Sequence, residues 1–136
     1  MNARMAYSWR VKEVVSRSDA PGPALPFSAG IKANGFIFTA GQVGTDPRTG
    51  AVAGPDVASQ TRQALSNLRA ILEAGGSSLH LLVKTTVFLA DMRLFEEMNT
   101  VYREVVPEPR PSRSTVEARL ARPELLVEIE GIGLTG

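Results

Sequence analysis

The chain has 136 residues, and its 15 lysines and arginines against 14 aspartates and glutamates give a formal net charge of +1. A hydrophobic share of 43% can form the core of one domain of this length, which argues against a disordered or fibrous protein. No segment has the roughly 20 apolar residues that span a bilayer, and the charged N-terminus does not resemble a secretory signal. We therefore expect one cytoplasmic domain over residues 1–136.

Missing residue types exclude several kinds of chemistry. The chain has no cysteine, which excludes disulfides, thiol nucleophiles and cysteine-bound iron–sulfur clusters. It has one histidine, His80, so a metal site with several histidines is excluded as well. Charges of both signs alternate along the chain without a basic block, which argues against a nucleic-acid partner.

The N-terminal third predicts strands separated by a long connector. Loose alternation of apolar residues indicates a first strand within Trp9–Val15. Residues 16–30 contain three prolines, so we expect an irregular connector there. A strand is predicted over Gly35–Val43, followed by a turn at Asp46–Gly50.

Two helices follow, with a strand between them. Asp56 is a suitable N-cap for a long helix that ends at Gly75 and Gly76, and its apolar residues recur at three- and four-residue spacing: Val57, Thr61, Ala64, Leu65, Leu68, Ile71 and Leu72. Val83–Ala90 is rich in β-branched residues and predicts a strand. Asp91 is then expected to cap a second helix, which ends before Pro107 and Pro109.

The C-terminal segment alternates as two strands, Arg113–Leu120 and Leu125–Gly133, with a short turn around Pro123. The order β, β, α, β, α, β, β favours an α+β fold, in which both helices cover one face of a single sheet. Nothing is left in the chain to cover the other face. We therefore predict that this bare face packs against other copies of the chain.

Polar residues on these last two strands predict a site. Alternation directs Arg113, Thr115, Glu117 and Arg119 to one face of their strand, and Val116, Ala118 and Leu120 to the core. The same rule places Glu128 and Glu130 together. If a tight turn joins the strands, their polar faces coincide and form an anion site with an acid beside it. The alternative is a set of solvated ion pairs that contribute little.

A set of motifs resembles, in its order and spacing, the RidA/YjgF family of reactive-intermediate deaminases, also called the endoribonuclease L-PSP family. The motifs are Pro26–Ser28, Phe36–Gln42, Asp46-Pro47 through Gly50, Val83–Leu89, Asn99 with Tyr102, Pro111–Ser114 and Val127–Glu130. The resemblance runs from Val11 to Gly133 and leaves residues 1–10 as an N-terminal extension. It implies the chorismate-mutase-like α+β fold, assembled as a homotrimer with three clefts between subunits.

The resemblance also assigns roles to individual residues. The family's arginine, which binds the substrate carboxylate, corresponds to Arg113, and its acid beside the attacking water corresponds to Glu128. The glycine that contributes backbone groups matches Gly41, and the helix asparagine matches Asn99. Thr115 stands at the small or cysteine position two residues after the arginine.

Three positions depart from the family pattern. Phe27 replaces the tyrosine after the proline, Ala40 replaces the serine before the glycine, and Leu25-Pro26 replaces the usual Gly-Pro. The arginine and the acid are unaffected by the loss of these two hydroxyls. We expect Phe27 to form an apolar wall at the mouth of the cleft.

The function implied by the resemblance is hydrolysis of reactive 2-imino or 2-enamino acids to 2-keto acids and ammonia, without a metal or organic cofactor. Two alternatives stay open. One is a non-catalytic trimer that binds a small carboxylate or a protein partner, which would need Arg113 but not Glu128. The other is an endoribonuclease, for which a histidine pair or a basic groove would be expected, and neither is present in the sequence.

Overall fold

The computed structural model describes residues 11–136, which form seven strands and two α-helices. The strands are β1 (Glu13–Val15), β2 (Gly30–Ala33), β3 (Phe36–Thr39), β4 (Gln42–Val43), β5 (Leu82–Leu89), β6 (Ser112–Glu117) and β7 (Val127–Leu134). The helices are α1 (Val57–Ala74) and α2 (Phe95–Val105), and short 3₁₀ helices at Leu79–Leu81 and Met92–Leu94 precede β5 and α2.

All the strands belong to one mixed sheet in the order β1-β2-β3-β7-β5-β6, with β4 pairing with β7 beyond the end of β3. Every neighbouring pair is antiparallel except β5 and β6, which are parallel and connected through α2. Parallel neighbours need such a crossover because a tight turn reverses the direction of the chain.

Helix α1 begins and ends where the sequence predicts. The carboxylate of Asp56 accepts hydrogen bonds from the backbone N–H of Ser59 at 2.9 Å and from its hydroxyl at 2.8 Å, so it caps the helix. Gly75 forms the C-cap. The whole predicted apolar stripe is buried, which confirms the helix and its orientation.

Asp91 caps the 3₁₀ helix Met92–Leu94 rather than α2 itself, and α2 continues directly from it. Met98, Val101 and Tyr102 form the buried side of α2. They share one hydrophobic core with the buried residues of α1 and of the sheet, which confirms the predicted fold of one mixed sheet with both helices on one face.

Two expectations for the N-terminal third are wrong. Strand β2 begins at Gly30, at the end of the expected connector, and pairs with β3 through a tight turn at Asn34 and Gly35, whose φ angles are 52° and 80°. An Asn-Gly pair between β-prone segments is a strong hairpin signal, which accounts for this turn. The single strand expected over Gly35–Val43 is divided at Ala40 and Gly41 into β3 and β4. Of the predicted strand at Trp9–Val15, residues 9 and 10 lie outside the described part of the chain.

The predicted hairpin of the last two strands is also wrong. β5 lies between β6 and β7 and pairs with both of them. The segment around Pro123 is therefore a connection across the end of β5 and not a tight turn. The strand itself is shorter than expected, because it ends at Glu117 and leaves Arg119 and Leu120 outside it.

The sheet face away from the helices has exposed apolar side chains. Val14, Phe36, Phe38, Val116 and Leu134 are between 37% and 66% exposed. In the register of the sheet, Val14 lies opposite Ile31, Ile31 opposite Phe38, and Phe38 opposite Ile132, so one apolar row crosses four strands. We call this surface the bare face. Neither helix in residues 11–136 is long and apolar enough to cross a membrane.

Candidate functional site

The register of the sheet separates the two residues that carry the predicted chemistry. Arg113 lies opposite Thr85, which is fully buried on the side of the helices. Glu128 lies opposite Phe88, on the bare face. The expectation that Arg113 and Glu128 share one face of a hairpin is wrong, because β5 separates their strands and their positions in the alternation differ.

Arg113 lies on an aromatic platform at the edge of the sheet. Its guanidinium carbon is 4.7 Å from the centre of the Tyr102 ring and 5.6 Å from that of Phe95, within the range of cation–π attraction. The Tyr102 hydroxyl is itself fixed by a buried 2.7 Å hydrogen bond with Thr85. The guanidinium of Arg113 forms no hydrogen bond or ion pair with other residues in 11–136, so its N–H groups are free to bind a carboxylate.

Asn99 lines the same cavity as Arg113, on the side formed by α2. The cavity has a volume of about 410 Å³. The side-chain oxygen of Asn99 is buried and accepts no hydrogen bond from any residue that the structure describes. A buried polar atom without a partner is costly. It therefore suits a ligand that brings an N–H or O–H group into the cavity.

The rest of the polar strand face is used differently from the prediction. Thr115 shares the face of Arg113, two residues further along β6, and lies opposite the buried Val87. Glu117 accepts a 2.8 Å hydrogen bond from the backbone N–H of Met92, so it supports the start of the 3₁₀ helix before α2. Val116, expected in the core, is 43% exposed on the bare face.

Glu128 and Gly41 lie against each other on the opposite side of the sheet. β4 pairs with β7 such that Val43 is opposite Glu128, and Gly41 lies two residues earlier, on the same side. A Cβ atom at position 41 would lie 2.5 Å from Oε2 of Glu128 and 2.9 Å from its Cγ. Only glycine leaves room for the carboxylate in this position, which explains the residue in terms of packing.

The environment of Glu128 favours its neutral form. The side chain is half-buried, and burial raises the pKa of its carboxyl group above the ordinary value. The negative charge of nearby Glu130 raises this pKa further. A carboxyl group whose pKa is raised toward neutrality is suited to passing a proton between water and a leaving group.

Phe27 lies at the edge of a second, smaller cavity of about 190 Å³, whose wall also includes Gly41. The Phe27 side chain is 53% exposed. It is therefore available to a ligand or to a neighbouring chain. Ala40, the other departure from the family pattern, precedes Gly41 in the break between β3 and β4 and donates its N–H to the carbonyl of Ala29.

The candidate residues thus form two half-sites. The arginine half-site contains Asn99, Tyr102, Arg113 and Thr115, at the edge of the sheet next to α2. The glutamate half-site contains Gly41 and Glu128, next to the bare face, and Phe27 lines the cavity whose wall also includes Gly41. Phe95 and Tyr102 lie at apolar positions of α2, and spacing alone does not show that a guanidinium stacks on them.

No other cluster with obvious chemistry lies in the described residues. His80 is exposed in the 3₁₀ helix before β5. Residues 11–136 contain no group of three or more acidic or histidine side chains arranged to hold a metal ion.

Comparison with known proteins identifies the family. Residues 17–134 match the family model described as Endoribonuclease L-PSP. The chain is 47% identical to a RutC family protein of Pyrococcus horikoshii, over 90% of this chain and 97% of that protein. It is 40% identical to the chloroplastic Reactive Intermediate Deaminase A of Arabidopsis thaliana, over 89% of this chain and 65% of that protein.

Solved structures agree with the sequence comparison. The crystal structure of E. coli TdcF with bound serine superimposes with a TM-score of 0.82 at 32% identity and covers 91% of this chain and 99% of TdcF. The fold and the sequence together define an α+β protein of the chorismate-mutase-like type. The chain belongs to the endoribonuclease L-PSP family, which is also known as RidA/YjgF.

Proposed function

We propose that the protein is a homotrimeric deaminase that hydrolyses 2-imino and 2-enamino acids to 2-keto acids and ammonia. The trimer is part of the proposal because one chain holds the two half-sites on different faces of its sheet. Contact between the bare face of one subunit and the sheet edge of the next would bring an arginine half-site to a glutamate half-site. Burial of the exposed apolar row would drive this contact.

In the proposed cleft, Arg113 binds the substrate carboxylate. Its planar guanidinium donates two parallel hydrogen bonds to a carboxylate, which fixes the imine carbon relative to the protein. Stacking on Phe95 and Tyr102 holds the guanidinium in one orientation before the substrate arrives. The unpartnered oxygen of Asn99 then accepts a hydrogen bond from the imine or amine N–H.

Glu128 moves the protons of the reaction. Its carboxylate takes a proton from water as the oxygen bonds to the imine carbon, and it passes this proton to the imine nitrogen, which gives a tetrahedral aminoalcohol. Glu128 then passes the hydroxyl proton to the amino nitrogen, the C–N bond breaks with loss of ammonia, and the carbonyl of the keto acid forms. The net change is one water consumed and one ammonia released, with no change of oxidation state, so no redox partner is needed.

The observation that carries the proposal is the unpaired guanidinium of Arg113 on its aromatic platform, beside the unpartnered oxygen of Asn99. Its test separates binding from turnover. Arg113→Ala removes charge-assisted hydrogen bonds of about 1.5–3 kcal/mol each, so calorimetric binding of 2-oxobutyrate should be lost. Arg113→Lys should restore little, because an ammonium lacks the planar fork.

Glu128→Gln keeps the shape of the side chain but cannot transfer a proton. This variant should bind 2-oxobutyrate normally and lose imine turnover, measured with an amino-acid oxidase that generates the imine in the assay. Circular dichroism checks that both variants fold. Turnover at the wild-type rate in Glu128→Gln would contradict the role of the acid, and normal keto-acid binding in Arg113→Ala would place the site elsewhere.

The second candidate is a carboxylate-binding protein without turnover. It is favoured by the bound serine of TdcF, an amino acid that carries a carboxylate. A wild-type protein that binds keto acids but does not accelerate imine hydrolysis would select this function.

A further inference from the structure

The cavity of the arginine half-site holds more positive charge than one carboxylate requires. Besides Asn99, Tyr102 and Arg113, it is lined by Arg103 from α2 and by Arg110 and Pro111 from the segment before β6. Three arginines therefore line a space of about 410 Å³. Their hydrogen bonds show which of them are free to bind a ligand.

The guanidinium of Arg110 is already hydrogen-bonded to other groups of the protein. Its Nη1 donates to the Glu108 carboxylate at 2.9 Å, and its Nη2 and Nε donate to the carbonyls of Arg103 and Val106, both at 3.3 Å. These carbonyls lie at the C-terminal end of α2, where backbone acceptors lack helical partners. Arg110 thus caps the helix and holds the wall of the cavity in place.

Arg103 is free. It is exposed, and its guanidinium forms no hydrogen bond or ion pair with any residue in 11–136. The acids near it in sequence have other partners, since Glu104 pairs with Arg62 at 2.8 Å and Glu108 pairs with Arg110 at 2.9 Å. Its positive charge is therefore not neutralised by a local acid.

Arg103 and Asn99 line the same cavity, so both can contact a ligand bound there. The two residues are four apart in α2, so they lie one above the other on one side of the helix. Arg103 therefore lies one helical turn beyond Asn99 along the wall of the cavity. Arg103 and Arg113 line the same cavity, so a ligand bound by Arg113 beside Asn99 shares this space with Arg103.

We propose that Arg103 binds a second carboxylate, at the far end of the substrate side chain, so that the preferred substrates are 2-imino dicarboxylic acids. This inference rests on the proposed function for the reaction, but the binding preference stands separately from turnover. Two free guanidinium groups in one cavity match two carboxylates in number and sign, and an apolar side chain would leave Arg103 without a partner.

The test compares two stable keto acids of equal chain length, 2-oxoglutarate and 2-oxopentanoate, which differ in a carboxylate against a methyl group. The wild type should bind 2-oxoglutarate more tightly by calorimetry. Arg103→Gln should weaken 2-oxoglutarate binding by about tenfold, the loss of one charge-assisted hydrogen bond, and leave 2-oxopentanoate unchanged. Arg69→Gln is the control, since it removes one positive charge from α1, away from the cavity, and should change neither affinity.

Other outcomes overturn the inference. If the wild type binds both keto acids equally, Arg103 makes no contact with the ligand. If Arg103→Gln weakens both equally, the residue acts only through the general positive field. The same variants are then assayed with imines generated from glutamate and norvaline. If the wild type turns over neither imine while the difference in keto-acid binding persists, the proposed reaction fails and the dicarboxylate site stands.

Discussion

At the scale of single residues, Glu128 is the group whose ionisation should be visible in the stability of the protein. Its folded-state pKa is raised by burial and by Glu130, so the folded state holds the proton more tightly than the unfolded state. The stabilisation from this proton is complete below the ordinary glutamate pKa and is lost as the pH rises through the raised value. The free energy of unfolding should therefore fall over this pH window.

Glu128→Gln should abolish this decrease in the free energy of unfolding with rising pH, because glutamine does not ionise. Urea unfolding at a series of pH values measures the effect, and the variant should gain stability relative to the wild type as the pH rises. Glu130→Gln removes the neighbouring negative charge, so the free energy of unfolding should still decrease with rising pH, but the decrease should occur at lower pH. Identical pH profiles for the wild type and Glu128→Gln would show that the carboxyl group is not perturbed.

Gly41 and Glu128 should be coupled energetically because their atoms compete for one space. Gly41→Ala places a methyl group within 2.5–2.9 Å of the Glu128 side chain, so that side chain must move. We expect a loss of stability of about 1–3 kcal/mol, as for an overpacked position. In a Glu128→Ala background the same substitution should cost much less.

A double-mutant cycle measured by denaturant unfolding gives this coupling directly. Equal costs of Gly41→Ala in both backgrounds would mean that the clash is with another group. The imine assay adds a second readout, since a displaced Glu128 should lower turnover even where the protein remains folded.

The identities of the site residues were available from the sequence, but only through the resemblance. Alternation along β6 and β7 predicted that Arg113 and Glu128 share one face of the sheet. This prediction was wrong because the relative faces of the two residues depend on the register of each strand with β5, which lies between β6 and β7. The aromatic platform could not be predicted from the sequence either, since Phe95 and Tyr102 do not differ in pattern from other apolar residues of an amphipathic helix. The unpartnered oxygen of Asn99 is a property of packing and has no sequence signal.

At the scale of secondary-structure elements, buried amides connect α1 to the segments around it. Gln60 is fully buried, and its side chain donates to the carbonyls of Gly54 and Glu124 and accepts from the N–H of Leu126. The side chain thus holds the chain that leads into β7, the strand that carries Glu128. Three backbone groups depend on this one amide.

Gln60→Ala should lower the free energy of unfolding by about 3 kcal/mol, because it leaves buried backbone groups without partners. Gln63→Ala is the matched control on the same helix, since that residue makes one side-chain hydrogen bond, to Asn67, and is only partly buried. We expect it to cost about 1 kcal/mol or less. Equal losses in denaturant unfolding would contradict the structural role of Gln60.

The elements that the sequence predicted well are those determined by neighbours in the chain. Helix α1 has a capping aspartate, a continuous apolar stripe and a glycine end, and all three lie within the segment itself. The β6–β7 connection is different, because Pro123 and its neighbours are compatible both with a hairpin and with a crossing over β5. The choice depends on the parallel pairing of β5 with β6, which involves residues far apart in sequence.

At the scale of the whole molecule, the bare face is expected to be the contact between subunits. Phe38 is 44% exposed in the middle of its apolar row. Phe38→Lys should prevent assembly and imine turnover together while circular dichroism remains that of a folded chain. Light scattering should report about 14.6 kDa for the variant and about three times that mass for the wild type.

Met92→Lys is the matched control for this substitution. Met92 is 39% exposed, close to the value for Phe38, but it lies in the 3₁₀ helix before α2 and not on the bare face. This variant should keep the mass and activity of the wild type. A wild-type protein that is monomeric at micromolar concentration would contradict the trimer and the shared site.

The most direct test of the central claim, that each cleft combines half-sites from two subunits, is complementation between inactive variants. Arg113→Ala subunits retain Glu128, and Glu128→Gln subunits retain Arg113. Unfolding an equal mixture and refolding it together should produce mixed trimers in which some clefts have both intact residues. For random assembly we expect about a quarter of the wild-type imine turnover, whereas each variant refolded alone should stay inactive. No recovery of activity in the mixture, with mixed trimers verified by mass spectrometry, would contradict a site shared between subunits.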